Sequence, residues 1–171
     1  MQGFVQVYTG DGKGKTTAAL GLALRAVGAG LKVYIGQFIK NADYSEIKAL
    51  QRWEDQITLA QYGRGCFLLT EPSQADIDAA RQGLATLERA LVSGVYDLVI
   101  ADEANVAVAL RLLQEDDLLD LIDRRPPQVE LVLTGRGAPP RVLDRADLVT
   151  EMRPLKHYYD QGVLARKGIE G

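Results

Sequence analysis

Thr9-Gly10-Asp11-Gly12-Lys13-Gly14-Lys15-Thr16-Thr17 follows the short β-prone run Phe4-Val5-Gln6-Val7-Tyr8 and opens a stretch of good helix formers, Thr16 to Val27. A glycine-rich loop between a strand and a helix is the setting in which backbone N–H groups cradle phosphate. Glycines let successive N–H groups curl inward, the helix N-terminus adds the positive end of its dipole, and Lys15 brings a mobile charge to phosphate oxygens. Thr16 is placed to hold magnesium. The bland alternative is a glycine-rich turn that only starts a helix, but three glycines interleaved with two lysines exceed what capping needs. The pattern GxxxxGK[ST] calls for glycine at position 9, where Thr9 stands. The loop is one residue short, so a triphosphate is expected to sit differently from its placement in ordinary nucleoside triphosphatases.

Outward from the loop, strands and helices alternate. The helix after it is apolar on nearly every side, which predicts burial against a sheet, and Gly28 and Gly30 stop it. Val33 to Ile39 reads as a second strand, Ser45 to Trp53 as a short helix, and Ile57 to Tyr62 as a third strand. Ile77, Ala80, Leu84, Leu87 and Leu91 recur on one face of a helix from Ser73 to Ser93, with Ser73 and Asp76 in a capping-box spacing. Tyr96 to Ala101 is a strand, followed by helical segments near Asn105 to Leu113 and Glu115 to Ile122. Val129 to Leu133 and Leu148 to Met152 complete the strands. Parallel strands joined by right-handed crossovers predict an α/β fold, a three-layer sandwich around a mostly parallel sheet. Ligands in such sheets bind at the strands' carboxyl ends.

Two further motifs lie at such ends. Asp97-Leu98-Val99-Ile100-Ala101-Asp102-Glu103 is an apolar strand delivering two carboxylates, which suits magnesium held with Thr16 and phosphates. Read alone, adjacent acids could instead favour the N-terminal dipole of the next helix. Thr134-Gly135-Arg136 ends another apolar strand, where an arginine can reach a phosphate with paired donors; a surface salt bridge is the alternative. His157, the single histidine, fits a site or a packed tail equally.

Composition narrows the classes. The 171 residues carry 20 basic and 23 acidic side chains, a net charge of −3 that argues against nucleic acid and anionic membrane as partners. One cysteine, Cys66, excludes an internal disulfide framework and a CxxC…CxxC zinc site. No window approaches the roughly 18 apolar residues of a membrane span, and the N-terminus lacks a signal-peptide pattern, so a cytoplasmic protein is expected. One domain, 1–171, with 153–171 as a tail, is the expected organisation.

Tyr8 to Ala19, Gln37-Phe38-Ile39-Lys40, Asp102-Glu103, Thr134-Gly135-Arg136, Ala146 to Met152, Lys156-His157 and Gly168-Ile169-Glu170 together resemble the P-loop corrinoid adenosyltransferases, in the same order and over almost the whole chain. The resemblance implies a P-loop nucleoside triphosphatase-like, RecA-like fold. It also implies transfer of the 5′-deoxyadenosyl group of ATP to the cobalt of a reduced corrinoid, cob(I)alamin or cob(I)yrinic acid a,c-diamide, with release of triphosphate. In this family a shortened loop goes with ATP bound in a reversed direction. Lys15, Arg136 and Glu103 carry over as catalytic residues; Gly10, Asp11, Gly12, Lys13, Gly14, Lys15, Thr16, Thr17 and Arg136 as the ATP site; and Thr16, Glu103 and Asp102 as ligands of Mg2+ or Mn2+. Cys66, Phe67, Leu68 and His157 carry over to the corrinoid, although the family's aromatic pair is here reduced to Phe67. A flavodoxin-like or flavin reductant and a homodimer are further implications. The family often has a helical extension before the loop, so a lid is expected here from the tail after Pro154 or from a second subunit. Two alternatives stand beside this: a nucleoside kinase of the thymidine kinase type, whose usual zinc cluster one cysteine cannot supply, and a non-catalytic ATP-dependent corrinoid carrier.

Overall fold

The computed structural model describes residues 2–42, 44–64 and 71–170. Its strands are β1 (Val5–Thr9), β2 (Val33–Gln37), β3 (Ile57–Gln61), β4 (Leu98–Asp102), β5 (Glu130–Thr134) and β6 (Leu148–Glu151). They form one sheet in the order β3-β2-β4-β5-β1-β6, and every pairing is parallel. The helices are α1 (Lys15–Gly28), α2 (Ser45–Leu50), α3 (Gln74–Val92), α4 (Ala104–Ala109), α5 (Glu115–Arg124) and α6 (Pro140–Arg145). No helix among the described residues is long and apolar enough to cross a membrane.

The period-2 alternation of side chains along each strand makes the layers. Val33, Ile35, Leu98, Ile100 and Val132 face α1, which meets them with Ala19, Ala23, Ala26 and Val27. Small residues on that helix let its backbone lie close to the sheet. Tyr34, Val99, Ala101, Leu131 and Leu133 face the other way, onto Leu87 and Leu91 of α3, Ala107 of α4, Leu118 and Leu121 of α5, and Val142 of α6. The expected three-layer sandwich is present.

Several boundaries differ from the sequence reading for local reasons. Leu24 is 47% exposed, so α1 buries one stripe and not nearly every side. The second strand ends at Gln37 because Ile39 turns to φ 68°, and the first helix after β4 ends at Ala109 because Arg111 has φ 58°. Positive φ ends regular structure for a residue with a Cβ. Helix α6 had no sequence counterpart; Pro139 and Pro140 start it, proline being suited to the first helical position. The Ser73–Asp76 capping box forms as expected, with Ser73 N–H donating to Asp76 Oδ2 at 3.0 Å and Asp76 N–H donating to Ser73 Oγ at 3.3 Å. Strand β5 lies between β1 and β4, so the acidic strand is one strand removed from the loop-bearing strand.

Candidate functional site

The loop after β1 closes against the end of β6. Gly12 N–H donates to the Met152 carbonyl at 2.7 Å, and Met152 N–H donates to the Thr9 carbonyl at 2.9 Å. Gly10 has φ 91°, and a Cβ there would stand 2.4 Å from the Met152 oxygen; one on Gly12 would stand 2.8 Å from the same atom. The glycines are thus required by β6 as well as by curvature. Gly14 caps α1 without a side-chain hydrogen bond, which leaves the first-turn N–H groups available to an anion. Lys15 is 8% exposed and folds over the loop, its Nζ donating to the carbonyls of Gly10 at 2.6 Å and Gly12 at 2.7 Å. Burial lowers its pKa, the Arg136 charge adds to that, and Glu103 and Asp11 oppose it. Asp11, Lys13 and Thr17 are exposed, and Lys13 Nζ reaches the tail, donating to the Ile169 carbonyl at 2.8 Å.

Despite the intervening strand, the acidic motif reaches the loop. Asp102 is 1% exposed, and its carboxylate accepts four hydrogen bonds. Thr16 Oγ1 (2.9 Å) and Thr134 Oγ1 (2.7 Å) donate to Oδ1, while Gln37 Nε2 (3.1 Å) and Lys40 Nζ (3.0 Å) donate to Oδ2. Helix α4 starts from Glu103 in the left-handed region, φ 60°, with its N–H donating to Thr134 Oγ1 at 2.9 Å. Burial raises the Glu103 carboxyl pKa, the neighbouring Asp102 charge raises it further, and Lys40, Lys15 and Arg136 pull the other way. Asp102 is committed to its neighbours, so the less engaged carboxylate is that of Glu103.

Gly135 has φ 129° and packs so closely on α4 that a Cβ would stand 2.9 Å from Val106 N. Arg136 follows it into solvent, and its charge acts on both Lys15 and Glu103. Asn105, fully buried, donates from Nδ2 to the Gly135 carbonyl at 3.3 Å, while its Oδ1 has no hydrogen-bond partner. His157 lies in the tail, where its Nδ1 accepts from Tyr159 N–H at 3.1 Å. It lines a cleft of about 440 Å³ with Lys13, Arg153, Lys156 and Tyr158, which places it beside the phosphate loop. Cys66, Phe67 and Leu68 lie outside the described residues.

The structure brings Lys15, Thr16, Asp102, Glu103 and Arg136 to one end of the sheet. Four polar residues there had no assigned role in the sequence reading: Gln37, Lys40, Asn105 and Thr134. Gln37 and Thr134 are the polar last residues of β2 and β5, directly after the apolar or small residues Val33 to Gly36 and Leu131 to Leu133, a position that marks a ligand-facing edge. Lys40 and Asn105 have no such local mark.

The family model described as ATP:corrinoid adenosyltransferase BtuR/CobO/CobP matches residues 1–171. A corrinoid adenosyltransferase of Pseudomonas aeruginosa is 36% identical over 170 residues, covering 99% of this chain and 84% of that one. One from Escherichia coli is 37% identical over 169 residues, covering 99% and 86%, and another from Salmonella typhimurium is 36% identical over the same shares. A KaiC-like protein of Pyrococcus horikoshii superposes with TM-score 0.61 at 19% identity, covering 99% of this chain and 76% of its own, a likeness of fold.

Proposed function

This chain belongs to the ATP:corrinoid adenosyltransferase family, and from that premise we propose how its strand ends carry the chemistry. The activity is ATP-dependent adenosylation of a corrinoid. The reduced cobalt of the substrate attacks the 5′ carbon of ATP, the C5′–O bond breaks, and its electron pair leaves with triphosphate. Cobalt in that state is itself the nucleophile, so the protein needs no serine, cysteine or general base. What remains for it is positioning and charge neutralisation.

The loop N–H groups from Gly10 to Thr16 bind the triphosphate, with Asp11 and Thr17 at the rim. Lys15 exchanges its two loop carbonyls for phosphate oxygens; Lys13 and Arg136 add charge from the solvent side. The short loop turns ATP so that C5′ faces the corrinoid. Thr16, Glu103 and Asp102 form an all-oxygen set that fits Mg2+ or Mn2+, hard ions that take one or two carboxylates and complete their shell with phosphate and water oxygens. Such an ion, held by these residues, would supply positive charge to offset that of the leaving triphosphate. His157 joins Cys66, Phe67 and Leu68 on the corrinoid. Residues 1–171 act as one domain with the tail from 153 beside the loop, as a cytoplasmic homodimer fed by a flavin or flavodoxin-like reductant.

The observation that supports this reading most is the direct bond from Thr16, in the first turn of α1 after the glycine loop, to Asp102, 86 positions away, within a polar cluster at the strand ends. A kinase of the thymidine kinase type is not favoured. Calorimetry with inorganic triphosphate and Mg2+ tests the site. Lys15→Ala should weaken binding by roughly ten- to a hundredfold, the loss of a charged hydrogen bond worth about 1.5 to 3 kcal/mol. Unchanged affinity would remove the loop from the phosphate role.

A further inference from the structure

Lys40 follows a backbone turn that few sequences tolerate. Ile39 sits at φ 68°, where a β-branched residue is an outlier. The turn is closed by Lys40 N–H donating to the Phe38 carbonyl at 2.7 Å, a three-residue turn of the strained kind. Its flanks are clamped. Phe38 N–H donates to the Asp102 carbonyl at 2.9 Å, and Gly63 N–H donates to the Lys40 carbonyl at 3.1 Å. Gly63 has no room for a side chain, since a Cβ would stand 2.1 Å from the Ile39 oxygen. Strain of this sort persists only where the surroundings over-determine it, and it concentrates at functional sites.

The turn aims the Lys40 side chain back over the sheet end. Its Nζ donates to Asp102 Oδ2 at 3.0 Å and to Thr16 Oγ1 at 3.3 Å. The Thr16 hydroxyl has one proton, already given to Asp102 Oδ1 at 2.9 Å, so the ammonium uses an Oγ1 lone pair. A divalent ion held by Thr16 would use a lone pair of the same oxygen, and two cations would then crowd one atom.

We propose that Lys40 is the resident cation of the metal site. It holds Thr16 and Asp102 in place before a divalent ion arrives, and it leaves Thr16 when the ion binds. The Tyr44 ring, with its centroid 5.8 Å from Nζ, offers a face on which the displaced ammonium can rest. Lys40 is thus a positioning residue, and the proposal rests on the metal role of Thr16, Asp102 and Glu103 given above. The competing account is a fixed structural ion pair, in which a divalent ion has no reason to replace the lysine.

The test uses Mn2+ alone, without nucleotide, on native protein, Lys40→Met and Lys40→Arg. Metal-free Lys40→Met should unfold at a lower temperature than the native chain, because Asp102 has lost its counter-charge, and Mn2+ should restore much of the difference. Free Mn2+ counted by paramagnetic resonance should show binding to Lys40→Met at least about tenfold tighter than to the native chain, since a like charge has left a partly buried site. Lys40→Arg should behave as native. Mn2+ affinity in Lys40→Met equal to or below the native value would overturn the proposal. If Lys40→Met does not fold alone, refolding in Mn2+ but not in NaCl of equal ionic strength supports it, and failure in both overturns it. Thr16→Val separates the two levels. Undiminished Mn2+ binding there would remove the metal role of Thr16 and this proposal together, whereas weakened binding without tightening in Lys40→Met overturns the Lys40 role alone.

Discussion

The ends of β2, β4 and β5 and the tail from Arg153 to Glu170 are both rich in charge, and they hold it in opposite ways. At the strand ends one carboxylate, Asp102, is buried and takes four donors from residues 32 to 86 positions away. In the tail, Glu170 accepts from Arg166, four residues back, and from the Tyr158 hydroxyl, with the Arg166 guanidinium 5.0 Å from the Tyr158 ring centroid. The first arrangement exists only because the sheet is folded; the second closes on itself at the surface. The buried carboxylate is therefore tied to the fold, whereas the Glu170 contacts in water reach no further than Tyr158, within the tail itself.

Removing the centre of the buried cluster should have the largest effect. Asp102→Ala leaves the Lys40 ammonium without its partner and strands the hydroxyls of Thr16 and Thr134, so chemical denaturation should show a loss of about 3 to 5 kcal/mol. A loss under about 1 kcal/mol would mean that water satisfies these groups and that the contrast with the tail is false. Thr134→Val sharpens the comparison at a second level. It deletes the donor to Asp102 and the acceptor of Glu103 N–H in one step, and the same measurement should show about 1 to 3 kcal/mol.

The tail should respond least. Arg166→Ala should leave the global unfolding midpoint unchanged, while a local probe sees the difference. Hydrogen bonds from Arg166 and then Tyr158 hold the Glu170 carboxyl at about 2, below its ordinary 4.5. A depressed carboxyl stabilises its contact above the ordinary value and loses that contribution as pH falls from about 4.5 toward 2. Carbon-detected NMR titration should place the native Glu170 midpoint near 2 and that of Arg166→Ala close to an ordinary carboxyl. A native midpoint near 4.5 would show that solvent already dominates the tail contact.

The same contrast explains what could be read before the fold was known. Elements whose causes are local were legible: the glycine loop between β1 and α1, the Ser73 cap, the spacing of Leu84, Leu87 and Leu91, and the apolar run into Asp102. The candidate site was legible as three motifs at strand ends, and the tail's Lys156-His157 as a resemblance. The order of strands was not, because the insertion of β5 between β1 and β4 is decided by pairing among distant segments. Lys40 stood within the resembling motif Gln37 to Lys40, but its role was hidden for a related reason. Its aim depends on a positive φ at Ile39, a residue type that carries no local preference for one, and on clamps from Asp102 and Gly63. Thr134 stood in plain view, yet its hydroxyl matters only once Asp102 and Glu103 lie beside it.

Adenosyl transfer is the claim on which the site assignments depend, and the phosphate product tests it most directly. The protein, Mg2+, ATP and chemically reduced cobalamin are combined without oxygen, the loss of cob(I) absorbance is followed, and the phosphates are separated. The account predicts adenosylcobalamin together with inorganic triphosphate in equal amounts. ADP or orthophosphate formed without a cobalt–carbon bond would contradict it.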